Sequence, residues 1–111
     1  MRNFPKRGEI FWVNLDPTRG SEINKTRPTV IVSNDDGNEK AQRVIVAPIT
    51  SSMRKLYPFE VAIEIKSKSC KILLDQVRAI DKIRLGDRIM TLEQEIMDDV
   101  DKALKIALGL V

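Results

Sequence analysis

The apolar pattern changes period once, near residue 91, and no other feature of this chain constrains its fold as much. Before that point, short runs rich in β-formers are separated by Gly, Pro, Asn and Asp. Glu9–Leu15 ends at the turn signal Asp16-Pro17, and Thr29–Ser33 follows Pro28 and stops at Asn34-Asp-Asp-Gly-Asn38, which reads as a turn. Arg43–Ile49 reads as a third strand, with Pro48 near its end, where a missing amide matters least. Phe59–Ile65 alternates apolar and charged residues, as a strand buried on one face does. Lys71–Leu74, Gln76–Ile80 and Arg88–Met90 are short strand candidates. Beyond the change, Leu92, Ile96, Val100, Ala103, Leu104, Ala107 and Leu108 fit 3.6 residues per turn, which predicts a helix over 92–108. Thr91 with Gln94 three residues on has the form of a capping box, and the acids precede the lysines as the helix dipole prefers.

Short strands closed by one helix predict a mainly β (α+β) fold, a small antiparallel barrel or partly open sheet under a C-terminal helix. At 111 residues, with no repeat, linker or low-complexity stretch, residues 1–111 read as a single domain. One cysteine, Cys70, rules out an internal disulfide and points to a reducing compartment. Lys68 and Lys71 beside it are expected to lower its pKa if they approach the thiol, whereas the plainer reading is a half-buried filler. The absence of histidine excludes Ser-His-Asp and Cys-His nucleophiles and any ordinary zinc site. No apolar run approaches the ~20 residues of a membrane span, and the N-terminal stretch has no apolar signal core behind it. A cytoplasmic protein that makes no membrane contact is expected.

Charge is small in total and uneven in placement. Residues 91–111 hold five acids against Lys102 and Lys105, a net of −3, so within the overall +3 the first ninety residues carry +6. Basic residues gather at Arg2/Lys6/Arg7, Arg19/Lys25/Arg27, Arg54/Lys55 and Lys66/Lys68/Lys71. Such a body favours a phosphate-rich or acidic partner.

Three polar segments are candidates for chemistry. The longest connection, Asp16–Pro28, exceeds the usual two to six residues by a wide margin, and long loops in compact domains often carry function. It offers Arg19, Lys25 and Arg27 to phosphates, with Ser21, Glu22 and Thr26 as hydrogen-bonding neighbours. Thr50, Ser51 and Ser52 follow the third strand, and Asp75-Gln76 interrupts an apolar run. A solvated loop and an ordinary strand end are the plain alternatives for these segments. Asp35-Asp36 has the composition of a hard-cation site and, more simply, that of a turn.

Taken in order, Arg7-Gly-Glu-Ile-Phe-Trp-Val-Asn-Leu-Asp-Pro17, Gly20-Ser-Glu22, Thr26-Arg-Pro28, Val30–Asp35, Val46-Ala-Pro-Ile-Thr-Ser51, Pro58-Phe-Glu-Val61 and Leu74-Asp-Gln-Val-Arg78 resemble the MazF/PemK toxins. Each motif is weak alone; their collinear order from about Lys6 onward is specific. The resemblance implies an SH3-like barrel of the MazF/CcdB kind and a homodimer. It also implies a sequence-selective endoribonuclease on single-stranded mRNA, blocked by a cognate, MazE-like antitoxin. It places the catalytic arginine on Arg27 and the catalytic threonine on Thr50, and RNA contacts on Ser21, Glu22, Asp75 and Gln76. Lys25 and Ser51 flank these and complete the expected RNA-binding set. Leu73 stands where some relatives carry an arginine, so the resemblance is to the branch that relies on Thr26-Arg-Pro28. Attack by the RNA's own 2′-OH demands no metal and no cofactor, and none is expected. Two rivals share the fold: a CcdB-like gyrase poison, for which Leu108-Gly-Leu-Val111 shows no signature, and an RNA-binding module that does not cleave.

Overall fold

The computed structural model describes residues 3–110; Arg2 and Val111, named above, lie outside the described residues. Among the described residues, seven strands form one antiparallel, strongly curled sheet. They are β1 (Glu9–Asn14), β2 (Thr26–Ile31), β3 (Arg43–Thr50), β4 (Glu60–Ile65), β5 (Lys68–Leu73), β6 (Arg78–Asp81) and β7 (Leu85–Thr91). Their order is β4-β5-β3-β2-β1-β7, with β6 added to β3. The eight-residue β3 is the hub: its first half pairs with β6, its last two residues with β5, and Val46–Pro48 with β2. A 3₁₀ turn at Leu74–Gln76 lets the chain leave β5 and rejoin β3 as β6. The expected Gln76–Ile80 strand is thereby split, with Gln76 in the turn. Register shifts between β1 and β7 add to the curl, and the result is a half-barrel closed by a helix.

Val30 and Ile31 show how the curl makes two cores. As neighbours on a strand they point to opposite faces. Val30 joins Ile10, Ala47, Ile49, Ile72 and Leu74 beneath the C-terminal helix, while Ile31 joins Val13, Leu15, Val44, Val46 and Ile80 on the other face. The C-terminal helix α2 runs over Gln94–Ala107 and packs on β4 and the 3₁₀ turn. It buries Met97, Val100 and Ala103, so its apolar stripe is rotated slightly from the expected one, and Leu108 is exposed. The capping box is not formed. Thr91 is the last residue of β7, paired with Glu9, and the helix starts after Glu93 without a side-chain cap. Arg7 ties the helix to the start of the chain: its terminal guanidinium nitrogen pairs with Asp101 (2.5 Å) and its Nε donates to the Val32 carbonyl. No helix among the described residues is long and apolar enough to cross a membrane.

The segment read as a turn at Asn34–Asn38 is a short helix, α1 (Asp35–Lys40). Asn34 caps it by accepting the Gly37 amide at 2.8 Å. Fully buried Asn38 locks it to Ser33, both by accepting the serine hydroxyl and by donating to its carbonyl at 2.9 Å. Asp35 accepts the Arg7 amide (2.7 Å) and Asp36 pairs with Lys40 (2.7 Å), so both acids serve this helix.

Candidate active-site cleft

A cleft of about 520 Å³ opens where β2 and β3 part. Their ladder ends at the Thr29–Pro48 pair. Pro28 and Pro48 have no amide to donate, so the ladder cannot run on regularly toward Thr26 and Thr50. The strand ends diverge, and residues Lys25–Pro28 face Ile49–Ser51 across the gap. Arg27 therefore reaches the cleft from a strand. The Asp16–Pro28 loop is three residues shorter than the sequence suggests, because β2 begins at Thr26 and runs through Pro28, which pairs with Trp12.

Arg27 is anchored through one nitrogen only. Its Nε donates to the Asn24 carbonyl at 2.6 Å, and among the described residues its two terminal NH₂ groups have no protein partner. A guanidinium fixed at Nε presents those two groups as a fork matched to two oxygens of a phosphate. Thr50 lines the same cleft. Its hydroxyl oxygen accepts the Ser52 amide at 3.2 Å, which leaves the hydroxyl proton to be donated elsewhere. Arg27 and Thr50 thus supply donors around one volume large enough for a nucleotide.

Several lining residues escaped the sequence reading. Trp12, 43% exposed, forms a wall of the cleft with Pro28, Ile49, Ile65 and Ile89. Lys66, Lys68 and Ser69 complete a cationic and polar rim with Lys25. The signal for the lysines was their clustering, and what hid them was the hairpin between β4 and β5. Lys66 and Ser67 both have positive φ (51° and 67°), a two-residue turn usually given to Asn-Gly, so no glycine marks it. The third lysine of that cluster, Lys71, is not part of the rim: it is buried and paired with Glu60 at 2.8 Å. Cys70 also lines the cleft, and burial pushes its thiol above the ordinary range, with a backbone hydrogen bond from Ile65 working the other way. That is opposite to the lowering expected from neighbouring lysines, and it makes Cys70 a protonated filler.

The remaining predicted residues form a separate group beside the cleft. Ser21 and Glu22 are exposed on the loop between β1 and β2. The Glu22 carboxylate accepts the Arg19 amide at 2.7 Å, so it shapes its own loop. Gln76, from the 3₁₀ turn, accepts the Ile23 amide with its side-chain oxygen at 2.8 Å, joining the turn to this loop; Asp75 beside it is exposed. Arg78 donates to the Leu15 carbonyl (2.9 Å), and Arg84 to the carbonyls of Asn14 and Asp16 (3.0 Å to the latter), which fixes the start of the loop. Lys25 and Ser51 are in the cleft; Ser21, Glu22, Asp75 and Gln76 are not among its lining.

Comparison with known proteins gives a consistent result. The profile of the family described as PemK-like, MazF-like toxin of type II toxin-antitoxin system matches residues 6–108. Endoribonuclease EndoA of Bacillus subtilis (strain 168) is 42% identical over 111 residues, covering 96% of each chain. Among solved structures, MazF from Deinococcus radiodurans superposes with a TM-score of 0.84 at 25% identity, over 97% of this chain and 99% of that one. An endoribonuclease in complex with its cognate antitoxin from a mycobacterial species superposes with a TM-score of 0.81 at 26% identity, over 96% and 97% of the two chains.

Proposed function

The chain belongs to the PemK-like, MazF-like toxin family, and on that premise we propose that it is an endoribonuclease that cuts single-stranded mRNA at the Arg27–Thr50 cleft. The observation that carries the site assignment is the pairing of a guanidinium held, among the described residues, only through Nε with a free-donating hydroxyl in one cleft. The RNA's 2′-OH loses its proton to solvent as its oxygen attacks the adjacent phosphorus. The P–O5′ bond breaks and the departing O5′ takes up a proton, so the fragments end in a 2′,3′-cyclic phosphate and a 5′-OH. Charge builds on the phosphorane oxygens as this happens. Arg27 meets that charge with its two terminal groups, and Thr50 donates a hydrogen bond that fixes the phosphate. A guanidinium offers donors and no acceptor, so its part is charge stabilisation, not proton removal.

Lys25 and Ser51 extend the phosphate contacts along the cleft. Ser21, Glu22, Asp75 and Gln76 present polar groups to unstacked bases, whose edges are what single-strand readers recognise. The Gln76 amide nitrogen serves best, since its oxygen already holds Ile23. Trp12 adds a stacking wall. The protein acts in the cytoplasm as a homodimer, and a cognate MazE-like antitoxin silences it by binding the same basic body.

Incubation with a long RNA in EDTA, followed by mapping of both ends, tests the reading. Cuts at a short recurring sequence with 5′-OH and cyclic or 3′-phosphate ends are expected. Ends bearing 5′-phosphate, a strict requirement for Mg²⁺, or no cleavage would overturn it.

A further inference from the structure

The ion pair between Lys71 and Glu60 lies outside the cleft, yet its contacts lead directly to Thr50. Both side chains are almost wholly buried, 9% and 6% exposed, and Nζ meets the carboxylate at 2.8 Å. A buried pair is weak evidence for stability, since apolar side chains of similar volume often do as well. What else it holds is therefore informative. Lys71 Nζ also donates to the Lys55 carbonyl at 2.5 Å, and the Glu60 carboxylate accepts the Tyr57 amide at 3.0 Å. Residues 51–58 are otherwise an exposed stretch between β3 and β4. The pair thus clamps the middle and the far end of that segment. Its near end carries the Ser52 amide, which donates to the Thr50 hydroxyl. Lys71 is also the cross-strand partner of Thr50 in the β3–β5 ladder, so clamp and hydroxyl share one stretch of backbone.

We infer that Lys71 and Glu60 are positioning residues for cleavage: by clamping the 51–58 segment at Lys55 and Tyr57 they hold the Ser52 amide on Thr50 and so aim its hydroxyl proton at the scissile phosphate. The inference rests on the proposed role of Thr50. If the clamp loosens, the Ser52 amide wanders, the hydroxyl loses its fixed orientation, and the chemical step slows while RNA contacts elsewhere remain.

The test compares Lys71→Met/Glu60→Gln with the parent and with Lys71→Arg, on a long RNA at a temperature well below unfolding. The double variant leaves no buried charge and nearly conserves volume. Its kcat should fall about tenfold with KM within about threefold, and Lys71→Arg, which keeps both the charge and the donors, should recover most of the rate. A merely structural pair would lower the melting temperature and leave kcat alone; a folded double variant with parental kcat overturns the inference. Hydrogen exchange on the parent protein supplies a second reading that needs no variant. The Tyr57 amide should exchange at least tenfold slower than an unstructured amide, and exchange at the unstructured rate also overturns it. Thr50→Val separates this inference from its premise. An active Thr50→Val enzyme removes the premise, whereas an inactive one beside a fully active double variant removes the clamp alone.

Discussion

Arg27 and Thr50 sit on strands, and Ser21 and Glu22 sit on a loop; the two pairs were drawn from the same kind of sequence motif and are held in different ways. The strand pair is backed by a fully buried core, with Val30, Ile31, Ala47 and Ile49 one to four residues away in sequence. The loop pair is held at a few points, by Gln76 on Ile23 and by Arg78 and Arg84 near its start. A group that must meet a transition state needs placement to a fraction of an ångström, and rigid strands supply it. A group that reads bases tolerates, and profits from, a support that adapts. On the proposed function, chemistry falls to the strands and recognition to the loop.

The largest effect should come from the strand side. Arg27→Ala and Arg27→Lys should both slow single-turnover cleavage about a hundred- to a thousandfold, equivalent to ~2.7–4 kcal/mol, because lysine keeps the charge but not the fork. A fully active Arg27→Lys enzyme would show that charge alone suffices and would blur the division. Next is Gly86→Ala on β7. A Cβ there would lie 2.9 Å from the Trp12 carbonyl, so β7 must shift away from β1, at a cost of roughly 1–3 kcal/mol by denaturant unfolding. The same shift moves the Trp12 wall, and RNA affinity should fall with stability.

Gln76→Leu probes the loop. It leaves the Ile23 amide without its partner, which costs about 0.5–1.5 kcal/mol, and it should raise KM several-fold with kcat near parental. A fall in kcat with constant KM would place the loop in the chemistry and break the comparison. The smallest effect is one of pH. The Cys70 thiol is raised by burial, so its stabilising contribution is fully present below the ordinary thiol pKa of ~8.5 and is lost as pH rises through the higher folded value. Urea midpoints of the parent should drop relative to Cys70→Ala as pH rises above that range, and parallel curves would show that the thiol is not held protonated.

Much of this architecture was legible because burial on one face writes itself as alternation. Phe59–Ile65 and the period change near residue 91 gave β4 and α2 nearly as they are. What stayed hidden depended on partners distant in sequence. Pro28 reads as punctuation, yet it sits in β2 opposite Trp12 where the β3 ladder has already ended. Asn34–Asn38 carries turn composition and becomes helical through Asn34, Ser33 and Arg7. Lys71 looks like one more surface lysine until β4 supplies Glu60. For the site, motif order named Arg27 and Thr50, but nothing in the sequence said that two prolines would open the sheet between them, or that Trp12, Lys66, Lys68 and Ser69 would line the gap.

The central claim is that the RNA's own 2′-oxygen attacks a phosphate held at the Arg27–Thr50 cleft. Its most direct test is cleavage of an RNA carrying two copies of the mapped target sequence, one with a single 2′-deoxy nucleotide on the 5′ side of the scissile bond. The intact copy should be cut at the parental rate and the substituted copy should survive, with both copies bound equally. Equal cutting of the two copies would contradict the account, because the nucleophile would then have to come from elsewhere.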